Sequence, residues 1–580
     1  MAQRMCSVLL ASLLSVSLVA CGGDDDDNGG TAASSSSSNT SSSSSSAASS
    51  SSSSAASSSA ASSASSSAAP LGSLGADGWA SYGNNNLGVA GTTGGDGADA
   101  AHTYTVTNRN ELILALYPNA VINDDGTFTG TLDTTKKIVY VKGTINLSMN
   151  KALVELKEAD YAAAGYNFDD YVAAYKPSVW NVALDSSTSK PKKPSGTQET
   201  LRSTSSGNQA KVVKVALGSN TSLIGLGADA RIIKGQVSIG DGTDNVVVRN
   251  ITFEDSFDYF PSWDPTDSWV LDTTKAGCQA TYVSATQGPQ MCPGGHWNSN
   301  YDTLTLSGGT HVWIDHCTFT DGDREDHTFP SVFELPHKGL DYIVEHHDGA
   351  VDVTNKSNFV TLSYNHVKNH DKTHLIGGSD SIGTYDSTTG IATNGFGALS
   401  VTLHHNWWEN AGQRLPRVRF GKVHVYSNYY SGQVGYTGQY APIDSDNVTV
   451  PNNRFLYGMG IGYLSKIYSE NNVFEIADAP AGNSTKASVN SMFYVWHKAS
   501  PTTGTGPDVN QSTYFYDAGS TLNGTVQDIF TAANLAASAA GKPTLLSTDV
   551  VFKPSSFYTY TPDTAAAVKA KVVAGAGAGK

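Results

Sequence analysis

The residues best suited to chemistry are two carboxylates four positions apart, Asp348 and Asp352, and three clustered arginines, Arg414, Arg417 and Arg419. On a strand the two acids share a face, while Val351 and Val353 take the other. A straight strand would hold their Cα atoms roughly 13 Å apart. Oxygen ligands lie about 2.3–2.6 Å from calcium, so both acids reach one ion only where the chain bends, which Gly349 permits. On pattern alone the spacing equally describes two solvated acids on a surface strand. Arg417 and Arg419 share a face of a short strand that Pro416 introduces. Guanidinium forks bind carboxylates bidentately, so the cluster is either a site for an anionic substrate or a structural ion-pair patch. His316, His346, His347 and His370 offer an alternative base. A histidine beside Trp313 and Asp315 on a core-facing strand is more often a hydrogen-bonded structural group. Trp407 and Trp408 could stack on sugar, but alternation turns one of them into the core, and neither is assigned to the site.

These groups lie among short strands that recur. Alternating β-branched residues closed by Asn, commonly with an aromatic after it, occur at 246–253, 360–365, 401–408, 423–430 and 467–474; at 311–319 Cys317 replaces the Asn. Asn406 and Asn428 are 22 residues apart, and Asn428 and Asn472 are 44 apart, which reads as two periods. A fixed period of this size marks a solenoid, and short strands without an intervening helical period favour a parallel β-helix. Asn at an equivalent bend of each turn can stack its amides and satisfy buried backbone groups. Irregular gaps are loops inserted between turns. One, at about 148–212, contains 152–161, expected as a short helix; another spans about 256–300. The fold class is therefore all-β: a right-handed parallel β-helix with long inserted loops and a short helical insert.

The chain has 580 residues, 39% hydrophobic and 15% charged, with a net charge of −16. Such acidity argues against non-specific nucleic-acid binding, and a polyanionic substrate would need a metal or clustered cations to offset repulsion. Arg4 and the apolar run Val8 to Ala20 form an export signal too short to span a membrane. Its end, Leu18-Val19-Ala20-Cys21, is similar to a bacterial lipobox, which implies lipidation of Cys21 after removal of 1–20. Residues 21–70, a run of Asp followed by a Ser/Ala tract, form a flexible tether. Residues 71–580 are one domain. Cys278 and Cys292 are candidates to pair after export, and Cys317 reads as a small buried hydrophobe.

The motifs carry a family resemblance. Trp313-Ile314-Asp315-His316, the pair Asp348/Asp352, the turn Asp371-Lys372-Thr373 and Arg414-Leu415-Pro416-Arg417-Val418-Arg419 resemble the signature regions of polysaccharide lyase family 1, the pectate and pectin lyases. Gly91-Thr92-Thr93-Gly94-Gly95 and the closing Ala574-Gly575-Ala576-Gly577 extend the match. The resemblance implies that Asp302, Asp348 and Asp352 bind calcium. It implies that Arg414 removes the C5 proton of a galacturonate, and that Lys372 and Arg419, with Arg417 beside them, hold the substrate. Asp302 has the parity of the inward Leu304 and Leu306, so it must sit at a strand edge where the backbone can turn it out. The implied activity is calcium-dependent pectate lyase, breaking α-1,4 links of polygalacturonate by β-elimination. A glycosidase would need two carboxyls flanking the bond. Pectin lyase, acting on methyl-esterified polymer without calcium, and a non-catalytic pectin-binding surface protein are the alternatives. A monomer on the outer membrane or cell surface, or secreted, completes the expectation.

Overall fold

The structure is a computed structural model that describes residues 75–83, 91–185, 187–272, 278, 291–334, 337, 342–435, 455–479, 484–496, 512–550 and 552–580. The expected signal peptide, Cys21 and the whole Ser/Ala tether lie outside the described residues. The chain winds into a parallel β-helix, as expected. Each coil adds a strand to an eight-stranded sheet and strands to an eighteen-stranded sheet that wraps the other sides. The eight-stranded sheet follows chain order: Lys214–Ala216, Gln236–Ile239, Leu304–Ser307, Val351–Thr354, Leu375–Ile376, Arg417–Val418, Met459–Ile461 and Phe493–Val495. All its pairings are parallel.

The β-branched alternation sets the register. Val246, Val312, Val360, Val401, Val423, Ile467 and Phe515 are successive partners, and all are fully buried. A slip by one residue would turn this column out to solvent. At the next corner runs a buried amide ladder. The backbone N–H groups of Asn365, Asn406 and Asn428 donate to Oδ1 of Asn406, Asn428 and Asn472 at 2.9–3.0 Å. Their Nδ2 groups donate to the same oxygens and to carbonyls of the preceding coil. Cys317 and Ser520 end the column: the Cys317 N–H donates to Asn365, and the Ser520 hydroxyl accepts from Asn472. The residue before each ladder position is left-handed, with φ near +50°: His316, Tyr364, His405, Ser427 and Asn471.

Three expectations need correction. The 44-residue step from Asn428 to Asn472 is one coil, because the two bond directly and their strands pair; a long insertion fills it. Asn250 stands outside the ladder. It takes the left-handed position, φ +57°, and Ile251 occupies the ladder slot. The helix expected over 152–161 shrinks to Glu158–Tyr161. Leu153 is left-handed, φ +59°, in a turn that the Asn150 side chain closes on the Val154 N–H. The main helix of that insert is Thr197–Val213, whose Ser and Thr hydroxyls bond back to carbonyls four residues earlier.

Helices Arg109–Leu116 and Ile529–Ala539 close the two ends of the core with Leu112, Ile113 and Leu116, and with Ile529, Ala533 and Ala537. The C-terminal helix Ala565–Gly575 packs Val568 and Val572 on Tyr429 and Val473, and the Gly577 N–H then bonds to the Tyr364 carbonyl. The Gly-Thr-Thr-Gly-Gly motif anchors on Asn245, whose Oδ1 accepts from Thr93 and Gly94. Cys278 and Cys292 are joined as a disulfide, and Cys317 is buried and free. No helix among the described residues is long and apolar enough to cross a membrane. Asn428→Ala strips partners from Asn406 and from the Leu403 carbonyl, so it is expected to cost about 3 kcal/mol, read as a lowered guanidinium midpoint.

Candidate active site

Asp352 projects from the outer face of Val351–Thr354, because Val351 and Val353 are locked in the core. It lies beside Thr305 in register and accepts from the Leu375 N–H at 2.9 Å. Asp302 stands two residues before the strand Leu304–Ser307, at its edge, while Tyr301 is buried against the insert and its hydroxyl donates to the Ser206 carbonyl. Its carboxylate accepts from the Gly349 N–H at 3.0 Å and from the Thr305 hydroxyl. Asp348 precedes the strand, so the straight-strand separation does not arise. The role of Gly349 differs from the expected hinge. A Cβ there would collide with Asp352 Oδ1 and lie 2.8 Å from Asp302 Oδ1, so the missing side chain is what lets the two acids converge.

This convergence is electrostatically costly without a cation. Burial, then the neighbouring Asp348, hold the Asp302 carboxyl well above the usual range. Burial, then Asp302 and Asp348, do the same to Asp352, which Arg414 partly offsets. Oxygen-only ligands of this charge suit a hard cation such as calcium. Among the described residues no three acidic, His or Cys side chains stand close enough together to hold a metal ion by themselves. Calcium takes about six to eight oxygens, so water and substrate oxygens would complete the shell.

The cations border these acids. Lys372 ends the strand His366–Lys372; its Nζ lies 2.7 Å from Glu345 and 3.9 Å from Asp348. Glu345 also meets His296 at 3.0 Å. Burial alone would raise the Glu345 carboxyl, but His296 and Lys372 bring it down to about 2. Burial alone would lower His296, but Glu345 outweighs it and raises the ring to about 9. Arg414 is buried at a left-handed corner, φ +60°, and its carbonyl accepts from the His374 N–H at 2.9 Å. Left-handed corners recur along the chain, as at Asn369 and Asn410, so this φ belongs to the coil architecture. Arg417 is the partner of Leu375 in the row that contains Asp352, and its guanidinium lies 3.9 Å from the Trp496 ring centre. The strand ends at Val418, so Arg419 does not share it as expected; Arg419 donates to Asp380 at 2.7 Å and to the Gly377 carbonyl at 3.0 Å.

The four histidines have structural partners. His316 meets Asp315 at 2.7 Å and stacks on Tyr364. His346 stacks on Phe257 and meets the Asp258 carbonyl, and burial pushes it down to about 3. His347 sits between Asp326 and Asp255. His370 is held by Asp321 at 2.6 Å and meets the Lys372 carbonyl at 2.7 Å. Trp408 is buried, and Trp407 is half-buried against His366. Sequence reasoning missed Glu345, His296, Asp380 and Trp496. Glu345 adjoins the His346-His347 motif, whereas the other three lie in stretches without a motif.

Two outcomes follow. Gly349→Ala is expected to weaken binding of a hard divalent cation such as calcium at least about tenfold by calorimetry while the fold holds, because the new Cβ wedges the two carboxylates apart. Because the acids' pKa values are shifted upward, protons compete with the cation; binding is expected to weaken at least about tenfold from pH 8 to pH 5.

Comparison with known proteins matches this geometry to a family. The family model described as pectate lyase matches residues 193–580. A pectate lyase of Bacillus subtilis (strain 168) is 38% identical over 516 residues, 88% of this chain and 95% of its own. The solved pectate lyase of Acidovorax avenae subsp citrulli is 38% identical with a TM-score of 0.71, covering 88% of this chain and 96% of its own. A pectate lyase solved with a bound hexasaccharide is 36% identical with a TM-score of 0.61, covering 88% and 98%. A match of this extent, on a parallel β-helix whose outer row gathers acids and arginines, shows that the chain belongs to the pectate lyase family.

Proposed function

We propose that the chain is a calcium-dependent pectate lyase that cleaves α-1,4-linked polygalacturonate by β-elimination and leaves unsaturated oligogalacturonides. The observation that carries this is the convergence of Asp302 and Asp352 around Gly349, with Lys372 and Arg414 beside them, in a chain of net charge −16. Asp302, Asp348 and Asp352 would hold calcium. When bound, it neutralises the uronate carboxylate and stabilises charge developing beside C5. Lys372 and Arg419 add positive charge at that carboxylate, and Arg417, braced on Trp496, lines the same row. Arg414 takes the C5 proton as a neutral guanidine. The C5–H electron pair becomes the C4–C5 double bond, the C4–O bond breaks, and the departing oxygen gains a proton. Free guanidinium stays protonated until strongly alkaline pH, so the neutral form needs cations nearby and alkaline solution.

The test is absorbance near ~235 nm on polygalacturonate, the region of a conjugated unsaturated uronate, with calcium and then excess chelator. Absorbance is expected to rise with calcium, stop with chelator, and fall at least about a thousandfold in Arg414→Ala. Reducing ends without absorbance would mark a hydrolase, and neither signal a binding protein. The rate is expected to peak above neutral pH; an acidic optimum would remove Arg414 as base. For location, the proposal is a monomer held by lipid on Cys21 at the cell surface, supported by the lipobox-like run. Protease applied to intact cells is expected to release it, and full protection would place it inside.

A further inference from the structure

Lys422 and Lys466 open the adjacent strands Lys422–Tyr426 and Lys466–Glu470 and are register partners. Val423 and Ile467, which follow them, are fully buried, so both lysines project from the outer face of the eighteen-stranded sheet. Both are half-buried, and neither forms an ion pair with an acid among the described residues. Lys466 Nζ has the Leu464 carbonyl at 3.4 Å, and Lys422 Nζ lies 5.8 Å from the Phe557 ring centre. Burial lowers both ammoniums, Lys422 adds to the shift of Lys466, and no acid offsets either.

Like charges on neighbouring strands repel. Acids outnumber basic residues 52 to 36 in this chain, so an internal partner would have been easy to supply. Aromatic rings flank the pair. Tyr514 is the next register partner of Lys466, and Phe557, near Lys422, packs on Trp79 at 4.7 Å and Tyr82 at 5.9 Å; Tyr514, Phe557 and Tyr82 are half-buried. Rings with an apolar face and a polar edge suit the alternating surface of a sugar.

We infer that this strip is a second, non-catalytic binding site for a polyuronate chain, on a different sheet from the catalytic row. The two ammoniums take carboxylates of neighbouring sugars, and Tyr514 and Phe557 lie against sugar faces. The identity of the polymer rests on the function proposed above.

The test is electrophoretic retention in gels containing polygalacturonate, with chelator present so that calcium contributes nothing. The comparison is wild type, a Lys422→Met/Lys466→Met double variant that keeps the apolar stems, and a Lys422→Arg/Lys466→Arg double variant. The Met variant is expected to bind about three- to tenfold more weakly, and the Arg variant as wild type. With calcium, KM for the polymer is expected to rise by the same factor in the Met variant, with kinetics on trigalacturonate unchanged. Equal retention of wild type and Met variant overturns the site, as does an equal loss on trigalacturonate. Displacement by sodium sulfate beyond that of sodium chloride at matched ionic strength marks a simple anion site and also overturns it. Should the double Met variant fail to fold, Lys466→Gln is judged by the same retention. Lysine-dependent retention without elimination would sink the catalytic reading and leave the site; elimination with unaltered retention would do the reverse.

Discussion

Parallel pairing spaces successive coils by about 4.8 Å, but backbone bonds alone leave each coil able to slip along its neighbour. The buried amides of Asn365, Asn406, Asn428 and Asn472 remove that freedom. Each side chain binds two backbone groups of the preceding coil, so a slip would strand several buried polar groups at once. The inward column from Val246 to Phe515 opposes the same slip by burial. Everything on the outer face inherits this register. Thr305, Asp352, Leu375 and Arg417 stand in one row because their coils cannot move relative to one another.

Beside that fixed row, charges are placed at a density that a closed, water-free interior would not tolerate. Acids crowd at Gly349 while Lys372 is held by Glu345, itself shared with His296. On the proposed function, the lysine is thus positioned before substrate arrives, and less ordering is needed at binding. Arg419 is likewise held by Asp380. Arg417 lies against the face of Trp496.

Much of this was legible in the sequence. Alternation of β-branched residues and the recurrent Asn mark the solenoid because every coil solves the same packing problem. The Asp348/Asp352 pair and the arginine run are visible because they lie close in sequence. What was hidden depends on contacts between distant segments. The step from Asn428 to Asn472 looks like two periods, since an insertion of nearly a period's length is indistinguishable from a coil without its pairing. Asn250 copies the ladder residue in type but sits one position early. The helix Thr197–Val213 is rich in Ser and Thr, which mask its periodicity while their hydroxyls bond back along it. Gly349 was read as a hinge, whereas its lack of a side chain is what matters. His296, Asp380 and Trp496 act through contacts with residues distant in the chain and leave no local pattern.

The first described segment and the C-terminal segment bring a separate consequence. A solenoid whose coils touch only their neighbours can unravel from either end. Here Asp77 lies 2.9 Å from His404, His404 contacts His405 at 2.8 Å, and His405 meets Asp563 at 2.7 Å. The segment beginning at Asp77 and the one carrying Asp563 are therefore buckled together over the middle of the stack, far in sequence from the coils that form its ends. Gly579 reaches further, to Asn250. Loosening a terminal coil does not free the chain beyond it, so the molecule behaves less like a spring that opens turn by turn than like a barrel bound by a clasped hoop.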